Sequence, residues 1–350
     1  MVSDASQEQL KIIEDKVRNS KIPDDLRARI DLRLQQLERL ILSPSFLPEL
    51  DRISRYVDWI TTIPWYARTE DNLDLTHAQK ILDKNHHGLG EIKDRILEYI
   101  SIMKLKQEKG EGEDIMRAPA LCFVGLVGTG KTTIALSIAE ALGRKFVRIP
   151  FGGMENPFDL RGQSKVQPEA EPGKIVKALR LSRAKNPVIL LDEIDRVTDM
   201  GRASIMGVLV ELLDPGQNHA YTDYYIDYPV DLSEVLFVAT ANNTHHIATA
   251  VLDRLEPISM PSYSDAEKIT IGKDYMLPVI LKESGLREGD LVINDDVWPQ
   301  IVRPLGFDAG TRTLERTIKG VARKVARLIV EGKGDKFILT PQNIKEFLPR

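Results

Sequence analysis

The sequence predicts a doubly wound α/β domain built on a parallel sheet, with a helical segment before it and a helical lid after it. Three observations carry this. Apolar runs at 120–124, 145–149, 188–191 and 235–240 have the length and continuity of strands covered on both faces. Helical stretches at about 132–142, 174–184 and 202–213 lie between them, which is the βαβ rhythm of a parallel sheet. Outside this core, apolar residues recur at helical spacing instead. The expected division is 1–68 for the helical N-terminal segment, 69–262 for the α/β domain and 263–350 for the lid.

In chain order, Pro23 suits the start of a helix, and Asp24 and Asp25 suit the positive end of its dipole. Leu26, Ile30, Leu34, Leu37 and Ile41 then mark one apolar stripe, which Ser43-Pro44-Ser45 ends. A second helix is expected over 48–61, before Pro64-Trp65. Helix is expected again from Asp71 to Lys106, followed by a polar surface loop over 107–114. The strands and helices of the α/β core come next. After Pro261 the pattern returns to helix. Ser264 and Glu267 have capping-box spacing, and Leu314, Ile318, Val321, Val325 and Leu328 mark an amphipathic helix. No internal repeat is visible.

With 42% hydrophobic and 29% charged residues, the composition is that of a water-soluble globular chain. The net charge of −4 gives no strongly basic nucleic-acid surface, although a local patch is compatible with it. The single cysteine, Cys122, excludes an internal disulfide and a thiolate metal cluster. It lies in Leu121-Cys122-Phe123-Val124 and reads as a buried structural thiol. No run of eighteen apolar residues predicts a membrane span. Met-Val-Ser-Asp at the N-terminus does not open a secretory signal, so a reducing, cytoplasmic location is expected.

Gly125-Leu-Val-Gly128-Thr129-Gly130-Lys131-Thr132, followed by Thr133, matches the phosphate-binding pattern G-x-x-x-x-G-K-[ST]. Its glycines allow the torsions that aim backbone N–H groups at phosphate oxygens. The helix that follows adds its positive end. Lys131 would reach the β- and γ-phosphates, and Thr132 would ligate Mg²⁺. A glycine turn that holds nothing is the plain alternative, and the strand before and helix after weigh against it. Val188-Ile-Leu-Leu-Asp192-Glu193 is an apolar strand ending in two acids, as in a Walker B segment. Asp192 would help hold the hydrated Mg²⁺, and Glu193 would act as general base on the attacking water. Two acids at a strand end are commonly just solvated; beside a phosphate loop they become parts of one phosphoryl-transfer site. The guanine-reading string Asn-Lys-x-Asp is absent, which favours ATP and ADP as ligands.

Several strings together resemble the AAA+ ATPase module of the Lon protease family. They are Lys145-Phe-Val-Arg-Ile-Pro-Phe-Gly-Gly153, Leu213-Asp-Pro-Gly-Gln-Asn218, Asp231-Leu-Ser-Glu-Val-Leu-Phe-Val-Ala-Thr-Ala-Asn242 and Leu252-Asp-Arg254. Ile63-Pro64-Trp65, Asp71-Asn72-Leu73-Asp74-Leu75 and Gly88-Leu89 extend the resemblance upstream, so it runs from about residue 20 to 350. It implies that Asn242 is the sensor-1 residue, whose amide bonds the attacking water and the γ-phosphate. It implies that Arg254 is an arginine finger inserted into a neighbouring subunit's site, hence a homo-oligomer, by family habit a hexameric ring. Arg312, in Asp308-Ala-Gly-Thr-Arg312, matches sensor 2. The adenine-contacting stretch corresponds to His86, His87, Gly88 and Leu89, with His87 where the family has tyrosine; Gly88 and Leu89 are the expected base contacts. A metal site at the paired histidines is the weaker reading, because no second ligand cluster lies nearby.

Two departures from the family stand out. No peptidase-type serine motif occurs, so no proteolysis is expected from this chain. The pore-loop segment reads Gln163-Ser-Lys-Val-Gln167-Pro168-Glu169-Ala-Glu171-Pro172-Gly173, with Gln167 and Pro168 where the family has an aromatic–aliphatic pair. Phe151, Phe158 or Met200 could take over the grip. The expected function is ATP hydrolysis driving unfolding or translocation of polypeptide substrates. The alternative is an ATP-dependent switch or interaction module that pulls polypeptide weakly. A nucleic-acid-binding ATPase, which the family also suggests, has no basic stripe with interleaved aromatics behind it.

Overall fold

A computed structural model of the chain describes residues 2–110, 119–303 and 310–348. Its strands in the α/β region are β1 (Ala120–Val124), β2 (Phe146–Pro150) and β3 (Val188–Asp192), then β4 (Tyr221–Asp223) and β5 (Tyr228–Val230), then β6 (Leu236–Ala241) and β7 (Leu255–Ser259). Five of them form a parallel sheet in the order β2-β3-β6-β1-β7, while β4 and β5 make a separate antiparallel hairpin.

The runs in β1, β3 and β6 are continuous because both sheet faces are buried there, whereas the edge strand β2 leaves Arg148 and Pro150 exposed. Cys122, Val147, Ile149, Ile189, Leu191, Phe237 and Ala239 belong to one core cluster. Their alternating neighbours Leu121, Phe123, Val188, Leu190, Leu236 and Val238 belong to the other. Burial pushes the Cys122 thiol up to about 12, which makes it inert.

The second cluster is completed by the helices Leu75–Asn85, Gly90–Glu108 and Lys131–Leu142. The first extends without a break into the N-terminal helices Val2–Asn19, Asp24–Glu38 and Phe46–Ile60. Leu26, Ile30, Leu34 and Leu37 form the buried stripe of the second of these. Contacts with the β4–β5 hairpin fix the dock. Tyr56 donates to the Ile226 carbonyl at 2.8 Å, and Tyr228 donates to Asp25 at 2.7 Å. Trp65 meets Tyr228 edge-on, and the Arg180 guanidinium lies 4.1 Å from the Trp59 ring centroid. Just before the Leu75–Asn85 helix the chain is tied down by buried Arg144, which grips Asp71 with two charge-assisted bonds of 2.7 and 2.6 Å.

The lid has its own core, in which Trp298, Ile301, Leu314, Ile318, Val321 and Val325 pack together. The Arg312–Val330 helix supplies four of these at steps of three and four. Ser264 and Glu267 form the expected capping box at the start of the Asp265–Thr270 helix.

Four expectations need correction. The stretch 71–106 is two helices, because Gly88 and Leu89 both take left-handed torsions and turn the chain between them. β7 was not expected: its Leu-Glu-Pro-Ile-Ser sequence buries only Leu255 and Ile258, and proline is tolerated because this is an edge strand. The hairpin strands, and the lid strands β8 (Leu291–Ile293) and β9 (Phe337–Leu339), are three residues each, too short for a periodic signal. The expected loop over 107–114 is helical to Glu108, and its residues 111–114 lie outside the described ones, as do Asp308, Ala309, Pro349 and Arg350.

Gly173 opens the Lys174–Ser182 helix where no side chain fits: a Cβ there would sit 1.9 Å from the Leu160 carbonyl oxygen. Gly173→Ala is therefore expected to cost at least about 2 kcal/mol in urea unfolding, because backbone must move. Wild-type stability in that variant would contradict this contact.

Candidate functional site

The chain leaves β1 for the far edge at β2, returns through β3 and β6, and then adds β7 on β1's other side. Such a switch in strand order opens a crevice at the carboxyl ends of the strands. A cavity of about 330 Å³ lies there, within the size range of small-molecule sites.

The phosphate-loop residues Gly128, Gly130, Lys131, Thr132 and Thr133 line its floor. Gly128 and Gly130 have φ of +85° and +92°, torsions that strain any other residue. The Lys131–Leu142 helix starts at the cavity, so its positive dipole end and its first-turn amides, which have no acceptor within the helix, lie beside it. Lys131 Nζ donates to the carbonyls of Gly125 (2.5 Å) and Leu126 (2.9 Å) and to Asn242 Oδ1 (3.2 Å). These partners are neutral. Burial holds the ammonium below its ordinary range, and Asp195, Glu193 and Asp192 pull it back.

Asp192 ends β3 and Glu193 follows it, both beside this floor. Asp192 Oδ1 faces Thr132 Oγ1 at 3.4 Å and accepts from Thr240 Oγ1 at 2.5 Å; its Oδ2 accepts from Arg148 Nε at 2.6 Å. Glu193 has left-handed torsions (φ 58°, ψ 50°), and its N–H is held by Thr240 Oγ1 at 2.8 Å. Asn242 follows β6, and its N–H donates to Asp195 Oδ2 at 3.1 Å. The side-chain amide nitrogen of Asn242 is buried without a hydrogen-bond partner among the described residues.

Residues of the lid and of the end of the Leu75–Asn85 helix close the cavity. Thr311 bonds the Gly128 carbonyl through its N–H (3.0 Å) and hydroxyl (3.1 Å), which brings Arg312 to the wall. Tyr263, Ile271, Tyr275 and Met276 give an apolar side, with His87 edge-on to Tyr275 at 6.1 Å. His86 is buried and bonds Ser137 Oγ at 2.9 Å. Among the described residues no group of three or more potential metal-ligating side chains occurs.

Burial, helped by the nearby Lys93 charge, pushes the His86 imidazole down to about 4. The unfolded chain then binds the extra proton between that value and the ordinary His pKa of about 6.5. The stability this histidine contributes is present above pH 6.5 and is lost as pH falls through 4, by about 3 kcal/mol at the limit. Denaturant titrations at pH 7.5 and 4.5 are expected to show a smaller pH loss in His86→Gln than in wild type. Equal losses would contradict this.

Several expected site residues lie elsewhere. Gly125 and Thr129 do not line the cavity; Thr129 turns its hydroxyl back to the Leu126 carbonyl, and both shape the loop from beneath. Gly88 and Leu89 do not line it either: they form the turn, and the preceding Asn85, His86 and His87 make the wall. Arg254 is at the opposite end of the sheet, where its carbonyl accepts from Ala120 N at the start of β1. Its guanidinium grips Asp214 at 2.6 and 3.1 Å. Sequence reasoning missed Arg148, Asp195, Thr240 and the lid wall.

In the segment 163–173, Val166 is exposed, Glu169 has a left-handed φ of 56°, and Glu171 pairs with Lys177 at 2.6 Å. Phe151 is fully buried and is unavailable for gripping a substrate, which corrects one alternative. Phe158 is half exposed against Tyr224, and Met200 is almost fully exposed.

Residues 121–262 match the model of the ATPase family associated with various cellular activities (AAA), and residues 282–338 match the Lon protease AAA+ ATPase lid domain. A Lon protease from Lawsonia intracellularis is 42% identical over 97% of this chain and 40% of its own length. The chain belongs to the Lon family as an AAA+ module. Lon protease 2 of Thermus thermophilus (41% identical; 93% of this chain, 41% of the relative) and Lon protease 1 of Bacillus subtilis (38%; 97% and 43%) agree. The Lon-family module thus spans about two fifths of the length of the curated relatives it matches. No described helix is long and apolar enough to cross a membrane.

Proposed function

We propose that this module binds Mg·ATP in the cavity and hydrolyses it to ADP and phosphate. The cycle drives conformational work on polypeptides within a homo-oligomeric, hexameric ring. The observation that carries the reading is the convergence of Lys131, Thr132, Asp192, Glu193 and Arg312 on one cavity, with Asn242 bonded to Lys131 at its base.

The residues fit the ligand. An ammonium on neutral oxygens, a helix N-terminus and an unpaired buried amide all favour an anion. Thr132 and Asp192 face one another with oxygens 3.4 Å apart and would hold hydrated Mg²⁺. That ion, when bound, supplies neutralisation of charge on the β- and γ-phosphate oxygens. Lys131 and the loop amides bind the phosphates, Glu193 takes the proton of the attacking water, and Asn242 orients that water. Arg312 would report nucleotide state to the lid. Arg254 would serve a neighbouring subunit, since it lies far from its own cavity. The base would lie against His87, Tyr275, Ile271 and Met276.

The test is phosphate release from Mg·ATP, with and without an unfolded polypeptide. Turnover stimulated by the polypeptide supports the reading; ATP binding without turnover overturns it. A second reading, an ATP-dependent switch with weak grip, draws support from Gln167, Pro168 and the acids Glu169 and Glu171 on the segment expected to hold substrate. Apolar side chains grip unlike sequences, and carboxylates do not. ATP turnover with no unfolding of a tagged substrate would favour it.

A further inference from the structure

Thr240 has no role in the reading above, yet its hydroxyl touches both acids. It is fully buried near the end of β6. The β3–β6 register runs up to Leu191 beside Ala239. One residue further on, the Thr240 side chain continues the connection. Its single hydroxyl proton goes to Asp192 Oδ1 at 2.5 Å, and its lone pair takes the Glu193 N–H at 2.8 Å.

Each bond constrains something different. Asp192 Oδ1 is also the oxygen that faces Thr132, so the Thr240 bond orients the carboxylate toward the hydroxyl it would share Mg²⁺ with. Arg148 secures the other oxygen. Glu193 has left-handed torsions, which a residue with a Cβ keeps only when its surroundings hold it. The Thr240–Glu193 bond is one such hold. Asp195 adds a second strap between the same two segments by accepting from the N–H groups of Asn242 (3.1 Å) and Asn243 (3.4 Å).

We propose that Thr240 is a positioning residue of the hydrolytic site, whose one buried hydroxyl sets the Asp192 carboxylate and the Glu193 backbone together. The inference rests on the proposed hydrolytic role of those acids. A positioning role differs from simple packing in depending on the hydroxyl and not on side-chain volume.

The experiment compares wild type, Thr240→Val, which keeps the shape, and Thr240→Ser, which keeps the hydroxyl. Three quantities are read: kcat for ATP hydrolysis, metal-free ADP affinity by fluorescence, and Mn²⁺ affinity of the ADP complex from the free-ion paramagnetic resonance signal. In Thr240→Val, kcat is expected to fall about 10- to 100-fold, as for a sub-ångström to ångström misplacement of catalytic groups. Mn²⁺ binding weakens, and metal-free ADP affinity stays within about threefold. Thr240→Ser recovers most of the kcat. Thr240→Ala replaces the valine variant if that one does not fold.

Wild-type kcat and Mn²⁺ affinity in the valine variant would overturn the proposal, and so would a serine variant as impaired as the valine one. Glu193→Gln separates the two layers of inference. If wild type releases no phosphate, or Glu193→Gln matches it, the hydrolytic reading fails and takes this proposal with it. If Glu193→Gln is inactive while Thr240→Val is normal, this proposal alone fails.

Discussion

Glu193→Gln is expected to lower ATP turnover by about 10²- to 10⁴-fold while leaving nucleotide affinity within about threefold of wild type. Glutamine keeps the size of the side chain and can still hydrogen-bond water, but it cannot take a proton near neutral pH. The carboxylate has little structural work to lose: its ion pair is a long 3.4 Å contact with half-exposed Arg196. The backbone of the residue, by contrast, is held by Thr240 whatever the side chain. Single-turnover phosphate release and equilibrium binding of a fluorescent nucleotide separate the two effects. A parallel loss of binding and turnover would mean that Glu193 supports the cavity instead of the chemistry.

Arg254→Ala is expected to cost about 10³-fold in turnover, again with nucleotide binding retained, as for arginine fingers that meet developing charge. Arg254 immediately precedes β7, alongside the start of β1, whereas the phosphate loop follows the end of β1. Five strand residues separate the two levels, roughly 16 Å at the rise of a β-strand. Within one subunit the guanidinium instead pairs with Asp214, whose carboxyl it holds below the usual carboxylate range. If it works in a neighbour's site, mixing Arg254→Ala with Lys131→Ala restores activity, because an intact cavity on one subunit meets an intact arginine on the other. Mixtures that stay inactive would exclude action between subunits.

The parts of this account visible in the sequence are those fixed by local pattern. β1, β3 and β6 could be read because both faces of each are apolar, β2 from Phe146, Val147 and Ile149, and Lys131, Thr132, Asp192 and Glu193 because their spacing follows strand ends. β7 was hidden by Pro257, and the turn at Gly88–Leu89 by the helical spacing on either side of it. Asn242, Arg254 and Arg312 needed the family resemblance, since a lone amide or guanidinium carries no local signature. Thr240, Asp195 and Arg148 could not be found either way: each is an ordinary polar residue whose weight comes from a partner 44 to 48 positions away in sequence. Gly88 and Leu89 turn the chain without lining the cavity. His86 and His87 line it instead, and His87 meets Tyr275 there, a contact across 188 residues.

The central claim is that the cavity at the end of β1 is a nucleotide site organised by Lys131. Equilibrium binding of a fluorescent ATP analogue to wild type and to Lys131→Ala tests it most directly. The account predicts saturable binding to wild type that unlabelled ATP displaces, and a loss of at least about tenfold in the variant, since a buried charge-assisted contact to phosphate is removed. Equal affinity in the two proteins, or no saturable binding to wild type, would contradict it.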